Sequence, residues 1–476
     1  MKAVVYLFLF FLFAGACKNV NDQSEYEKPN IIFIMSDDHA ARAISLYNDE
    51  LVQTPNIDKI GRDGAVFHNA FCTNSICAPS RATILTGKYS HRNGILDNRT
   101  PFDGSQETFP KLLREAGYQT ALVGKWHLHS KPTGFNYWNI LPGQGDYNDP
   151  VLIDNGDTIK HRGYVTDIIT DLSLQWLENR DKSKPFCLLT HHKAVHTPNI
   201  PPEKYKKLFE DRHIPLPVSF YDSYKGKSKA ASKNRIGFSH KRPNFPKHYR
   251  DLPDSIPDEL YVEAKYQMIM KDYLSCVKSM DDNIGRIITY LEENKLTDNT
   301  ILIYTSDQGF FLGEHGWFNK RFMYEESIKM PLVMQYPARI KPKTDVNEII
   351  LNLDFAPTLL DFAGIDIPVS MQGESFKDIL LEEELDPEWR DEMYYHYYEM
   401  AFDMAKHYGV RTDRYKLIYF YEPIDEWEMY DLQNDPYEMN NIYNNAQYLQ
   451  QQKMLKKKLM EQIYKYEDNS MPNNSQ

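Results

Sequence analysis

The sequence contains little cysteine, 5 of 476 residues. Cys17 closes an apolar N-terminal stretch, so the rest of the chain can form at most two disulfide bonds. Cys187 and Cys276 fall in apolar runs, and we expect both to be buried free thiols. The spacing would allow a bridge between Cys72 and Cys77, but that bridge would consume a cysteine that stands at the start of a predicted helix.

Positive charge is also scarce. The formal net charge is -12, with 55 Lys and Arg against 67 Asp and Glu, so we expect no nucleic-acid partner. One segment departs from this balance and carries the residues Lys225, Lys227, Lys229, Lys233, Arg235, Lys241, Arg242, Lys247 and Arg250. It is either a basic patch that attracts a polyanionic glycan or an ordinary solvated loop.

The long apolar run of the chain is at its N-terminus. Lys2 is followed by AVVYLFLFFLFAGAC, which is typical of a secretory signal over residues 1–17 and is short for a membrane span. Its end resembles a bacterial lipoprotein processing site, at which Cys17 would become the lipidated first residue; the alternative is ordinary cleavage with loss of Cys17. We therefore expect a bacterial protein that is exported to the periplasm or the outer-membrane surface. Its only membrane attachment would be this lipid, through a tether at 18–28.

Four short apolar segments each end in polar residues. They are Ile31–Met35 before Asp37 and Asp38, Ala121–Val123 before Lys125 and His127, Phe186–Leu189 before His191, His192, Lys193 and His196, and Ile301–Tyr304 before Asp307 and Gln308. Helical periodicity lies between them, most clearly at Leu274–Leu291. The alternation predicts an α/β fold with a large, mostly parallel sheet flanked by helices, and in such sheets ligands bind at the carboxyl ends of the strands.

The pattern changes along the chain, which shows no internal repeat. Residues 198–257 are typical of long surface loops. From residue 370 the alternation of strands and helices is lost, and the sequence predicts a small antiparallel sheet and a closing helix. We therefore predict a catalytic domain at 29–369 and a smaller C-terminal α+β subdomain at 370–476. Within the latter, Asp425, Glu426 and Trp427 either contact a sugar or form a turn into a strand.

The predicted strand ends bring carboxylates together. Asp37, Asp38 and Asp307 would repel one another unless a cation lies between them. With the amide oxygen of Gln308 they form a set of hard oxygen ligands, which suits Ca²⁺ or Mg²⁺. Positive side chains gather at the same edge, as they do around a bound oxyanion. These are Arg81, Lys125, His127, His196 and Lys320; we expect His129, His191 and His192 to be structural or at the rim.

Cys77 begins the stretch CAPSRATILTG, which predicts a helix with Pro79 in its first turn and Gly87 as its cap. A helix N-terminus favours an anion. A thiolate there would suit a cysteine hydrolase or a phosphatase, but the spacing to Arg81 does not fit a phosphatase loop. A thiolate is also a poor ligand for a hard ion. An unmodified Cys77 therefore conflicts with the neighbouring carboxylates.

The stretch resembles the signature C-x-P-S-R-x-x-x-L-T-G of the formylglycine-dependent sulfatases, within the alkaline-phosphatase-like superfamily. GKWH at 124–127, KAVH at 193–196 and SDQG at 306–309 resemble other blocks of that family, although many members have Asn where Gln308 stands and Pro where Val195 stands. The resemblance implies that a maturing enzyme oxidises Cys77 to formylglycine during export.

The same resemblance implies a role for each site residue. Asp37, Asp38, Asp307, Gln308 and the modified Cys77 would hold Ca²⁺, and an oxygen of the hydrated aldehyde would attack sulfur. Arg81, Lys125 and Lys320 would offset the charge on the transferred group. His196 would protonate the departing alcohol, and His127 would position the hydrate and assist release of sulfate.

The segments at 307–327 and 407–432 are most similar to the N-acetylglucosamine-6-sulfatase branch. They imply hydrolysis of the 6-O-sulfate of N-acetylglucosamine or glucosamine in a heparan-type or mucin glycan. The alternatives are a sulfatase for another glycan linkage, a formylglycine-dependent phosphonate or phosphate ester hydrolase, and a lipoprotein that binds sulfated glycans without turnover.

Overall fold

A computed structural model of the protein describes residues 28–238, 256–382 and 389–470. The predicted signal, Cys17 and the tether up to residue 27 lie outside the described residues. The strands are β1 Asn30–Ser36, β2 Ala65–Phe67, β3 Ala70–Phe71, β4 Gln119–Lys125, β5 Tyr137–Leu141, β6 Val151–Asp154, β7 Asp157–Lys160, β8 Phe186–His191, β9 Thr300–Ser306, β10 Leu332–Gln335, β11 Thr344–Val346, β12 Ile350–Leu351, β13 Glu392–Tyr397, β14 Lys406–Thr412, β15 Tyr415–Glu422 and β16 Glu426–Asp431. The helices are α1 Pro55–Arg62, α2 Cys77–Thr86, α3 Ser90–Asn93, α4 Phe109–Glu115, α5 Val165–Asn179, α6 Lys229–Lys233, α7 Asp258–Glu293, α8 Glu325–Ile328, α9 Phe355–Phe362, α10 Lys377–Leu380 and α11 Leu449–Lys465.

A sheet of ten strands organises the molecule, in the order β11-β2-β10-β9-β1-β8-β4-β5-β6-β7. The five central strands from β9 to β5 are parallel, whereas β10, β6 and β7 are each antiparallel to their inner neighbours. The predicted α/β class, with a large and mostly parallel sheet, is confirmed, and its antiparallel strands lie toward the two edges.

The central strand β1 is buried on both faces, as a parallel strand between two helical layers should be. Ile31, Phe33 and Met35 join a hydrophobic cluster with α2, α4 and α9, while Ile32 and Ile34 join a second cluster with α1, α5 and α7. The predicted helix at Leu274–Leu291 is the second half of α7, and its apolar side chains are buried in the second cluster. No helix in the described part of the chain is long and apolar enough to cross a membrane.

A second, four-stranded sheet follows toward the C-terminus, in the order β13-β14-β15-β16 and antiparallel throughout. The closing helix α11 packs on β13, β14 and β15. The predicted small antiparallel sheet and closing helix are therefore confirmed. The domain boundary at residue 369 stays a prediction, since one hydrophobic cluster contains side chains from both sheets.

The basic segment is described up to residue 238, and much of its charge is paired within the protein. The side chain of Lys227 is buried, with its Nζ 2.8 Å from Asp222. Lys229 pairs with Glu426 at 2.8 Å, and the Arg235 guanidinium lies 2.7 Å from Asp403. The other basic residues of the segment are Lys225 and Lys233, which are exposed, and Lys241, Arg242, Lys247 and Arg250, which lie outside the described residues. Three of the basic residues in the described half of the segment, which contains the short helix α6, are therefore held in ion pairs rather than free to form a basic patch.

Candidate active site

The carboxyl ends of β1 and β9 place three carboxylates side by side. The two strands pair in register up to Ser36 and Ser306, so Asp37 and Asp307 leave the sheet at the same level. The Asp38 N–H donates to Asp307 Oδ1 at 3.2 Å, and Asp37, Asp38 and Asp307 each offer an oxygen within 4.8 Å of the others. Each is at most 2% exposed, so their mutual repulsion is not relieved by water.

Cys77 is the first residue of α2 and faces these carboxylates. Its Sγ lies 3.5 Å from Asp37 Oδ1 and 3.3 Å from Lys320 Nζ. The Ala78 N–H has no partner within the helix because it lies in the first turn, and it donates to Asn98 Oδ1 at 2.9 Å. Burial raises the pKa of the Cys77 thiol to about 12 despite Lys320, so the encoded side chain is a protonated thiol at neutral pH. It is neither a ready nucleophile nor a ligand for a hard cation.

Three cations offset the carboxylates. The Arg81 guanidinium lies 3.0 Å from Asp307 Oδ2, and its Nη1 donates to the Lys125 carbonyl at 2.8 Å. The Nζ atoms of Lys125 and Lys320 contact the carboxylates of Asp37 and Asp38 respectively. Burial lowers the pKa of Lys125, and its contact with the Asp37 carboxylate favours the charged form. The structure therefore brings every predicted cation except the two histidines into direct contact with a predicted metal ligand.

The donor set fits a divalent cation. The Gln308 amide nitrogen donates to Asp38 Oδ1 at 2.5 Å, while its oxygen is buried and lacks a hydrogen-bond partner among the described residues. A buried amide oxygen without a partner is costly, and three neighbouring carboxylates with an amide oxygen are the ligands that Ca²⁺ and Mg²⁺ prefer. The predicted ligands are thus gathered at one place.

The two predicted histidines lie at the edge of this cluster. His196 Nε2 is 3.7 Å from Asp38 Oδ2, and its Nδ1 bonds to the Thr197 carbonyl at 2.6 Å, which places a hydrogen on Nδ1. Burial, together with Lys125 and Lys320, lowers the pKa of His196. Burial and the nearby cations also lower the pKa of His127, whose Nε2 lies 3.2 Å from the Gln144 amide nitrogen.

The other histidines of the motifs are held by the surrounding structure. His191 is buried, and its Nδ1 lies 3.3 Å from the Lys125 carbonyl. His192 is buried beside it on the same strand end. His129 Nε2 bonds to the Asn98 carbonyl at 2.6 Å.

A cavity of about 280 Å³ opens beside Asp38, His196 and Lys320. Its wall also contains residues that the sequence analysis did not select, namely Asn98, Gln144, Phe310, Arg321 and Phe402. Asn98 and Gln144 lie in loops, and no local pattern marks them. Arg321 directly follows Lys320, and its guanidinium contacts Glu399 and the Tyr397 hydroxyl at 2.7 Å each.

Asp425, Glu426 and Trp427 do not line this cavity. Asp425 accepts from the Tyr419 hydroxyl, and Trp427 stacks between Tyr419 and Tyr443. Asp425 directly precedes β16, and Glu426 and Trp427 are its first residues, which agrees with the predicted turn into a strand. All four cysteines outside the N-terminal stretch are buried free thiols, so Cys72 and Cys77 do not form a bridge.

Comparison with known proteins agrees with this geometry. Residues 29–365 match the family described as Sulfatase, and residues 313–465 match the C-terminal domain of N-sulphoglucosamine sulphohydrolase. The chain is 45% identical to the N-acetylglucosamine-6-O-sulfatase of Bacteroides thetaiotaomicron, over 96% of this chain and 89% of that protein. It is 29% identical to the human N-acetylglucosamine-6-sulfatase, over 78% of this chain and 68% of that one.

Solved structures show the same fold. The structure of BT4656 in complex with its substrate, D-glucosamine-2-N,6-O-disulfate, superposes with a TM-score of 0.88 at 46% identity, covering 93% of this chain and 99% of that one. A phosphonate monoester hydrolase from Silicibacter pomeroyi reaches a TM-score of 0.75 at 20% identity, covering 93% and 96%, which shows a common fold. The chain therefore belongs to the sulfatase family and is a sulfuric ester hydrolase.

Proposed function

We propose that the chain hydrolyses the 6-O-sulfate of N-acetylglucosamine or glucosamine residues in a heparan-type or mucin glycan. The observation that carries this proposal is the 45% identity to an N-acetylglucosamine-6-O-sulfatase over 96% of the chain. The similarity to a structure that holds a 6-O-sulfated glucosamine supports it.

The residues of the site would have separate roles in the reaction. Asp37, Asp38, Asp307 and Gln308 would hold Ca²⁺ together with the modified Cys77. When bound, the ion supplies positive charge for sulfate oxygens, and formylglycine in its hydrated form supplies the nucleophilic oxygen. The positive ends of Arg81, Lys125 and Lys320 offset the charge that develops on the transferred group, in a buried site where such interactions are strong.

His196 is the residue suited to protonate the leaving alcohol. Its Nδ1 is occupied by the Thr197 carbonyl, so Nε2 is the atom that faces the cavity side of the site and can deliver a proton. Burial and, less strongly, the neighbouring lysines lower the pKa of His196. A bound sulfate would counter the lysines, so substrate binding shifts the ring toward its protonated form. His127 would contact the nucleophile from the other side.

The test is a panel of glucosamine derivatives sulfated singly at the 6-, 3- or 2-N-position, with a uronate 2-sulfate as comparison. We expect sulfate release from the 6-O-sulfate. Hydrolysis of the uronate 2-sulfate alone would overturn the assignment. Cys77→Ala serves as the control, since loss of a nucleophile lowers kcat by at least about 1000-fold.

The modification of Cys77 has a direct measurement. A mass spectrum of the peptide that contains Cys77 reports whether sulfur has been replaced by a carbonyl oxygen. We expect the carbonyl form from a host that has a sulfatase-maturing enzyme and the thiol from a host that lacks one. A thiol in fully active protein would refute the proposed nucleophile.

We also propose that the protein is exported and that Cys17 carries a lipid. The support is the N-terminal pattern that ends in Ala-Gly-Ala-Cys. Membrane fractionation of wild type and Cys17→Ala tests this, because only a lipid anchor makes the two differ. Equal recovery of both in the soluble fraction would show that cleavage removes Cys17.

A further inference from the structure

The loop between β13 and β14 closes one side of the active-site cavity. It covers residues 398–405, and its Phe402 lines the same cavity as Asp38, His196 and Lys320. The small antiparallel sheet therefore contributes a side chain to a site whose carboxylates follow strands of the large sheet.

Phe402 differs from the other two phenylalanines of the cavity wall. Phe310 and Phe318 are at most 4% exposed, and their rings contact each other edge to face. Phe402 is partly exposed. Among the three rings, it is the one that offers its surface to a ligand in the cavity.

The backbone of this loop has an unusual conformation. Phe402 has a φ of +58°, and Asp403 after it has a φ of +57°. The left-handed region is unfavourable for a residue with a bulky side chain, whereas glycine adopts it without strain. Strained residues of this kind persist at functional sites, where the side chain itself is needed. A phenylalanine at a position that suits glycine therefore indicates a role for its ring.

Two arginines hold the loop in this position. The Arg235 N–H donates to the Phe402 carbonyl at 2.9 Å, and the Arg235 guanidinium pairs with the two carboxylate oxygens of Asp403 at 2.7 and 3.2 Å. The Arg321 guanidinium, which is bonded to Glu399, lies over the Phe402 ring at 5.1 Å from its centre, within the range of a cation–π contact. The ring is thus held both through its backbone and through one face.

We infer that Phe402 is a specificity-determining residue against whose ring the sugar of the substrate packs, and that Arg235 is the residue that positions it. The C–H groups on a pyranose ring are apolar and slightly positive, and the face of a phenylalanine ring is negative, so the two attract each other. A free sulfate ion has no such groups and gains nothing from the ring. The inference rests on the proposed function for the identity of the sugar.

The test compares a sulfated sugar with inorganic sulfate, which occupies the anion site without a sugar. The substrate is the sulfated sugar of the panel that wild type hydrolyses best, and sulfate is measured as an inhibitor. We expect Phe402→Ala to lower kcat/KM for the sugar about tenfold, mainly through KM, and to leave the inhibition constant of sulfate within about twofold of wild type. An unchanged kcat/KM, or equal losses for sugar and sulfate, would overturn the inference.

Two further substitutions separate the ring from the backbone. Phe402→Tyr retains the aromatic face and should keep kcat/KM within about twofold of wild type. Phe402→Gly removes the ring and also relieves the left-handed strain. We therefore expect it to unfold at a higher urea concentration than Phe402→Ala while it loses as much activity toward the sugar. A loss in Phe402→Tyr as large as that in Phe402→Ala would contradict an aromatic contact.

Arg235→Gln tests the positioning role. The ion pair with Asp403 is more than half exposed, so its loss should change stability little, whereas KM for the sugar should rise severalfold. Arg286→Gln is the matched control, because Arg286 makes a similarly exposed pair with Asp171 between α7 and α5 and neither residue lines the cavity. It should leave KM and sulfate inhibition as in wild type. A wild-type KM in Arg235→Gln would refute the positioning role.

The two proposals fail separately. Hydrolysis of a different sulfated sugar would refute the 6-O-sulfate assignment, and the role of Phe402 would still be measured on that sugar. An unchanged KM in Phe402→Ala would refute the role of Phe402 and leave the result of the substrate panel as it is.

Discussion

Gln308 supplies an amide where the other predicted metal ligands from the strand ends are carboxylates. Its nitrogen is committed to Asp38 Oδ1, so its oxygen points elsewhere by necessity and has no partner within the described structure. Many relatives have the shorter Asn here. Gln308 has one more methylene than Asn, so it retains an amide oxygen but places that oxygen farther from the backbone.

We therefore predict that Gln308→Leu lowers Ca²⁺ affinity by at least about tenfold, because an oxygen ligand is lost from a site whose other groups remain. Calorimetric titration of chelator-treated protein measures this without reference to turnover. Gln308→Asn is the matched control and should lose less, since it keeps an amide oxygen. Equal affinity in wild type and Gln308→Leu would show that this side chain does not bind the ion.

Helix α2 presents Cys77 at one end and is closed by Gly87 at the other. Gly87 has a φ of +63°, and its N–H donates to the Thr83 carbonyl at 2.8 Å. A Cβ at this position would lie 3.2 Å from the side chain of Met371. The end of the helix is thus fixed by backbone conformation and by packing together.

Gly87→Ala should lower the free energy of unfolding by about 1–2 kcal/mol for the left-handed backbone, plus a contribution from the contact with Met371. Gly94→Ala separates the two effects, because Gly94 has a φ of +82° and open space around its Cβ position. Urea denaturation of both variants measures the difference. A loss at Gly94 as large as that at Gly87 would rule out a packing contribution.

The helices and strands differ in how well the sequence alone predicts them. The segment Ile31–Met35 is recognisable as a strand because both faces are buried, so every residue is apolar. Strand β7, Asp157–Lys160, is exposed throughout and carries no such pattern. Helix α7 begins at Asp258, well before the clearly periodic segment Leu274–Leu291. Its first half buries two tyrosines, Tyr266 and Tyr273, together with Ile269 and Met270, so its aliphatic pattern is weaker than that of the second half.

The same limit applies to the site. Asp37, Asp307 and Lys125 directly follow or end buried strands, so local pattern and parallel pairing suffice to bring them together. Gln144 lies in a loop after β5, and its approach to His127 depends on β5 pairing with β4, which no local pattern specifies. A loop residue that no motif marks, such as Gln144, therefore escapes sequence analysis.

At the scale of the whole molecule, a buried group of charges joins helix α8 to the four-stranded sheet. Glu325, at the start of α8, accepts from Arg411 of β14 and lies 2.8 Å from Lys416 of β15. Lys416 also lies 2.8 Å from Glu438. Lys416 is fully buried, so its charge is compensated by Glu325 and Glu438 rather than by water.

Glu325→Gln should lower the free energy of unfolding by about 3 kcal/mol, because removing one partner leaves Arg411 and Lys416 buried with too little negative charge. Glu461→Gln is the control. Its partner Lys457 is 3.5 Å away and both side chains are more than half exposed, so the loss there should stay below about 1 kcal/mol. Similar losses in the two variants would mean that the buried group does not hold α8 against the four-stranded sheet.

All ten residues of α2 are buried, from Cys77 to Thr86. A modifying enzyme that must bind this segment could reach it only while the polypeptide is still unfolded. Oxidation of the Cys77 thiol and folding of the chain would then compete kinetically. Molecules that fold first would retain an unmodified cysteine permanently. The fraction of active enzyme obtained from a given host would thus depend on the rate of Cys77 oxidation relative to the rate of folding. It would not depend on the stability of the folded protein.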